Sequence, residues 1–195
     1  MIRPANSYRA ADAANRVLVR LGIDRLPERP LDKLRRCRNT RVYTFDQAAE
    51  ALDVTQDELE RLCSGADALT IRGDGGMYLV CYRAGGNPAR LNFTLAHELG
   101  HIVLCHTGKS AAEEAEADCF ASHLLCPDAV IEMMEYPAAE HLAQLCYISR
   151  AAAERALRRK KCCVQRDVYL QMRGYIDAYV GNGARHPLAG ANEKG

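Results

Sequence analysis

The stretch Arg90-Leu91-Asn92-Phe93-Thr94-Leu95-Ala96-His97-Glu98-Leu99-Gly100-His101-Ile102-Val103-Leu104 decides how the rest of the chain is read. Its apolar residues recur at three- and four-residue intervals. That rhythm predicts a helix from Asn92 to about His106, with Gly108 placed to close it. His97 and His101 stand at i and i+4, so both imidazoles share one face and can meet one metal ion. Glu98, beside the first histidine, lies near enough to accept a proton from a water that such an ion activates.

The spacing H-E-x-x-H also describes two satisfied histidines on a partly buried helix. The sequence downstream weighs against that plainer reading. A second helix is predicted over about Ala111–Leu125, stopped by Pro127, and it carries Glu114 and Asp118 at i and i+4. Glu114 can complete a His₂Glu site for Zn²⁺, one ion per chain, with a fourth position open. Asp118 can take the hydrogen bond from the far nitrogen of a ligand histidine and fix its tautomer. Glu113 and Glu116 fall elsewhere on the same helix and read as surface acids.

Other candidate ligands are set aside. A metzincin needs glycine three residues after His101 and histidine six after it, where this chain has Leu104 and Thr107. Cys105 lies one turn beyond His101 on a helix that already supplies two ligands. His106, five residues after His101, is expected to face away from the metal. His123 reads as a satisfied or surface histidine, with transition-state stabiliser as the alternative.

Arg90-Leu91-Asn92-Phe93-Thr94-Leu95-Ala96-His97-Glu98-Leu99-Gly100-His101, followed by Glu114 to Ala121 and then Leu124-Leu125-Cys126-Pro127, resembles the ImmA/IrrE family of metallo-endopeptidases. The resemblance extends from about Ser7 to Lys160 and includes the element Ile148–Leu157. Cys126 and His123 depart from the family's usual residues, and neither is a proposed ligand. The resemblance implies a zinc-dependent endopeptidase. It further implies a protein substrate, a helix-turn-helix repressor of a mobile element or stress response encoded nearby. The alternative is a zincin-fold binding module, antitoxin-like or touching DNA, that does not cut. Glu98 argues against it, because a pure binder has no use for a base.

The rest of the chain is consistent with an α+β fold: a zincin-like core, mostly helical, with a small antiparallel sheet. Residues 7–21 and 31–37 read as helices. Residues 45–63 read as two short helices, the second opened by a Thr55/Glu58 capping box. Their rhythm resembles a helix-turn-helix, but Asp57, Glu58 and Glu60 would repel phosphates, so direct nucleic-acid binding is not expected. Leu69–Arg72 and Met77–Tyr82 flank Gly73-Asp74-Gly75-Gly76 as a hairpin. The strand near Met77–Tyr82 is expected at the sheet edge, where an extended peptide could add. Residues 138–160 read as helical with Ser149 as a cap, and the basic run Arg158–Lys161 as a solvated helix end. One metallopeptidase domain is expected over 1–160, a helical extension over 161–180 and a disordered tail over 181–195.

Composition narrows the class further. Twenty-six basic residues against 25 acidic ones give a formal charge of +1, so no basic surface for nucleic acid shows in the totals. No apolar run approaches the ~18 residues that span a bilayer, and the opening residues lack a signal-peptide core. The nine cysteines are odd in number and irregular in spacing, and contain no C-x-x-C, which points to reduced thiols. A cytoplasmic protein is expected.

Overall fold

The computed structural model describes residues 6–21, 26–27, 29–63, 65–108, 110–134, 138–159, 168, 170 and 173. The chain divides into two compact units: Met1–Ala10 with Arg29–Ala121, and Ala11–Glu28 with Ser122–Gly195.

The first unit holds the start of α1 (Ser7–Leu21), then α2 (Pro30–Arg36), β1 (Thr40–Thr44), α3 (Phe45–Leu52), α4 (Gln56–Cys63), β2 (Ala68–Arg72), β3 (Tyr78–Tyr82), α5 (Pro88–Val103) and most of α6 (Ala111–Leu125). This is the expected α+β architecture, helix-rich with one small sheet. The hairpin forms as read: β2 and β3 pair antiparallel from Ala68 opposite Tyr82 to Arg72 opposite Tyr78. Gly75 and Gly76 turn the chain with φ of 65° and 76°, a region open to glycine without steric cost.

The sheet is mixed, because β1 adds to the other side of β3 in parallel, Thr40 opposite Tyr78 through Thr44 opposite Tyr82. The order β1-β3-β2 makes β3 the central strand. This corrects the expectation of an edge at Met77–Tyr82: the edges are β1 and the other strand of the hairpin, β2. At five residues, with Arg41 breaking its apolar run, Thr40–Thr44 has too short a period to announce a strand.

The helices α3 and α4 cover one face of this sheet. Thr44 caps α3 in a reciprocal box with Gln47, and Thr55 and Glu58 exchange the expected hydrogen bonds at the start of α4. Phe45, Ala48, Ala49 and Leu59 then pack on Cys81, with Tyr43, Val54, Leu69 and Leu79 around them. The helix-turn-helix-like rhythm thus serves the core, and Asp57 and Glu58 face solvent.

Helix α5 starts earlier than Asn92. The Asn87 side chain accepts from the amides of Ala89 and Arg90, and Pro88 takes the first helical position, where its missing N–H costs nothing. The helix also ends earlier than predicted. Cys105 adopts φ 56°, the amide of Cys105 donates to the Ile102 carbonyl and that of His106 to the His101 carbonyl. This is a Schellman turn with cysteine where glycine is usual. Gly100 lets α5 approach α6 closely: a Cβ there would lie 3.1–3.2 Å from three side-chain atoms of Phe120.

The second unit contains the rest of α1, the end of α6, α7 (Asp128–Met133), α8 (Ala139–Cys146) and α9 (Arg150–Arg158). Its buried residues include Leu18, Leu124, Val130, Leu142, Leu145 and Ala153. The helical segment read over 138–160 is broken at Tyr147, which takes φ 52°, and restarts where Ser149 Oγ accepts from the Ala152 amide. Arg159 is no solvated helix end. Its guanidinium donates to the Ser122 hydroxyl, the Cys126 carbonyl and, at 2.6 Å, the Asp128 carboxylate.

The extension expected over 161–180 and the tail over 181–195 lie outside the described residues, except for Val168, which is buried, and Leu170 and Arg173, which are exposed. The pair Cys162–Cys163 lies outside them too. Among the described residues no helix is long and apolar enough to cross a membrane.

Candidate metal centre

Two helices of the first unit build the centre, and their close approach at Gly100 and Phe120 sets its width. From α5 come His97 and His101, one turn apart, with their Nε2 atoms 2.9 Å from each other. From α6 comes Glu114, with one carboxylate oxygen 3.3 Å from His97 Nε2 and the other 3.6 Å from His101 Nε2. Among the described residues this is the group whose ligand atoms converge, all within 4.8 Å of one another.

The donor set fits a metal ion. Tetrahedral bonds of ~2.0–2.2 Å put ligand atoms roughly 3.4 Å apart, in the range of the separations here. Both rings also have their outer nitrogens occupied. His97 Nδ1 stands 2.8 Å from Asp118 Oδ1, and His101 Nδ1 stands 2.9 Å from His106 Nδ1. A ring that donates outward through Nδ1–H presents a lone pair at Nε2. Two such lone pairs 2.9 Å apart repel unless a cation or proton lies between them.

The electrostatics follow from the same packing. Burial lowers the pKa of His97, but the Asp118 hydrogen bond and the charges of Glu98, Asp118 and Glu114 outweigh it and raise the net value. His101 is pulled down to about 4, first by burial and then by the neighbouring charge of His97, with Glu114 opposing. Of the pair, His97 therefore holds a proton more readily and His101 favours the neutral form that ligates.

These side chains line an open cleft of about 560 Å³ with Glu98, Phe93, Thr94, Tyr78 and residues Ala66 to Thr70 at the edge strand β2. Glu98 is 8% exposed, a carboxylate largely withdrawn from water yet on the wall of the cleft.

Two residues, Glu116 and His106, depart from the sequence expectation here, while Glu113 stays a surface acid at the helix start. Glu116 is no surface acid: its carboxylate is buried and accepts from the Asn6 amide at 2.8 Å and from Arg9 at 3.3 Å. Burial raises its pKa, but the Asn6 amide, His106 and Arg9 outweigh that and lower it. His106 does not turn away; the Schellman turn at Cys105 swings it back under His101, an outcome that helical spacing alone cannot foresee. Glu113 gathers the loop between the helices, accepting from the amides of Thr107, Gly108 and Ser110. His123 is buried in the second unit, 3.7 Å from the Asp128 carboxylate.

Residues 64–158 match the family Peptidase M78, described as IrrE N-terminal-like domain. The matched span begins just before β2 and ends with α9, so it contains every residue named in the cleft. No curated protein matches the chain.

Proposed function

Residues 64–158 of this chain belong to the IrrE N-terminal-like family of peptidases, and on that premise we propose that the protein is a zinc-dependent endopeptidase. The observation that carries the proposal is the convergence of His97, His101 and Glu114 in one cleft with Glu98 on its wall. A peptidase family implies a protein substrate.

In this reading His97, His101 and Glu114 hold one Zn²⁺, and Asp118 keeps His97 in the Nδ1–H tautomer that leaves Nε2 for the metal. An ion held there would supply Lewis acidity for the scissile carbonyl and for a water molecule. Glu98 accepts the proton of the attacking water and delivers it to the leaving amine. The edge strand β2 offers backbone N–H and C=O groups along the cleft, so an extended segment of substrate can pair there with little demand on sequence. A DNA-binding repressor encoded nearby is the substrate we propose, on the resemblance to ImmA/IrrE peptidases.

The test uses the full chain purified without a metal-binding tag. Metal analysis should find one zinc per chain, and His101→Ala should lose it. Intact-mass analysis of the co-incubated repressor should show two fragments. Stoichiometric zinc in His101→Ala overturns the ligand set. A repressor that is bound and never cut, whatever metal is added, favours a zincin-fold binding module.

A further inference from the structure

His106 has no part in the chemistry just proposed, yet it is held on both sides. Its ring is 4% exposed, with Nδ1 2.9 Å from His101 Nδ1 and Nε2 3.1 Å from Glu116 Oε2. Glu116 in turn receives the Asn6 amide on Oε1 and the Arg9 guanidinium on Oε2. A second nitrogen of Arg9 donates to the Leu104 carbonyl at 2.6 Å, where α5 ends. The chain of contacts therefore runs from the start of α1, through α6 and the turn after α5, to the far side of one candidate metal ligand.

The direction of every hydrogen bond in it follows from the chemistry of the groups. Asn6 N–H and the Arg9 guanidinium only donate, and the ionised carboxylate of Glu116 only accepts. His106 must then present Nε2–H to Glu116, since a lone pair there would face the oxygens' own lone pairs. A neutral ring protonated at Nε2 has its lone pair at Nδ1, which accepts from His101 Nδ1–H. That fixes His101 in the tautomer whose Nε2 lone pair points at Glu114 and His97.

We infer that His106, backed by Glu116 and Arg9, is the positioning residue for His101, as Asp118 is for His97. The inference rests on the reading of His101 as a metal ligand. A neutral imidazole takes the place that a carboxylate holds behind His97, and it conveys the charge of Glu116 one ring further from the metal. The His101 ring is thereby oriented and its tautomer selected without a second anion in contact with it.

The experiment reads zinc affinity by chelator competition, ring tautomers by long-range ¹H–¹⁵N spectra, and fold by circular dichroism, all on the full chain. In the zinc-loaded wild type His101 should be protonated at Nδ1 and His106 at Nε2. A His106 protonated at Nδ1, alone or together with Nε2, overturns the inference without any variant. His106→Leu should weaken zinc binding roughly 10- to 100-fold, as loss of a ligand's hydrogen-bond partner does. His106→Gln should recover most of it, because its amide can both accept from His101 and donate to Glu116. Glu116→Gln should weaken zinc binding in the wild type and change little in His106→Leu. Folded His106→Leu with affinity within twofold of wild type overturns the inference. If His106→Leu does not fold, His106→Gln and the wild-type spectra still decide. Zinc retained in His101→Ala sinks the metal site itself; zinc lost there but kept in His106→Leu sinks only this inference.

Discussion

The carboxylate of Asp118 stands 2.8 Å from Nδ1 of His97, while Glu114, one turn earlier on the same helix, faces Nε2 of that ring at 3.3 Å. One turn of α6 thus holds both nitrogens of a single imidazole. Asp118→Asn should weaken zinc binding or activity by roughly ten- to a hundred-fold with the fold intact. Glu116 is unsuitable as a control, because it is buried and hydrogen-bonded to His106. The exposed Glu50, on α3, serves instead. Equal losses from Asp118→Asn and Glu50→Gln would show that the hydrogen bond to His97 is immaterial.

Glu98 lies on the cleft wall and contributes no atom to the converging set of His97, His101 and Glu114. Glu98→Gln keeps the size of the side chain and removes its capacity to take a proton. Zinc content should stay at one per chain while cleavage falls by ~10²–10⁴-fold. The variant should accumulate a complex with its protein substrate that wild type turns over, visible by native mass spectrometry. Cleavage at the wild-type rate removes Glu98 from the mechanism.

Gly100 meets Phe120 at the point where α5 and α6 approach, and the contacting atoms include Phe120 Cβ and Cγ. These atoms sit at the root of a fully buried side chain, so the ring cannot swing aside. Gly100→Ala gains about 1 kcal/mol of helix propensity. Overpacking a tight core costs typically about 1–3 kcal/mol, so the net effect should be a loss of about 1 kcal/mol. Zinc affinity should fall with it, since Glu114 moves away with α6. A denaturant midpoint at or above wild type would show that the close packing is not required.

Glu113 accepts three backbone amides and the Ser110 hydroxyl, and these hydrogen bonds, that to the Ser110 amide first, lower its pKa from 4.5 to about 2. A carboxylate whose folded pKa lies below its unfolded one stabilises fully above the unfolded value, and loses that contribution as pH falls through the folded one. Glu113→Gln should therefore lower the urea midpoint at neutral pH. The gap from wild type should narrow as pH drops below 4.5 towards 2. A gap that does not depend on pH would mean that the loop is held by shape and not by the charge.

Much of the candidate site was readable because its parts are local. His97, Glu98 and His101 share a helix, and Glu114 and Asp118 share another, so i, i+4 spacing alone puts each set on one face. The caps at Thr55 and Ser149 were equally local, each a side chain closing hydrogen bonds three residues away. Where the reading fell short, the cause was contact between distant segments. Strand β1 is defined by its parallel pairing to β3, nearly forty residues on, and that pairing moves the edge of the sheet to β2.

Glu116 reads as a surface acid until Asn6 and Arg9, more than a hundred residues earlier, are seen to close over it. His106 depends on a left-handed Cys105, a conformation that no residue nearby announces, since glycine is the usual occupant. Helical period and cap chemistry thus specified which residue types could meet a metal. Which side chains stand behind them was decided only by tertiary packing, because a buried hydrogen-bond chain joins residues by their position in space and leaves no period in the sequence.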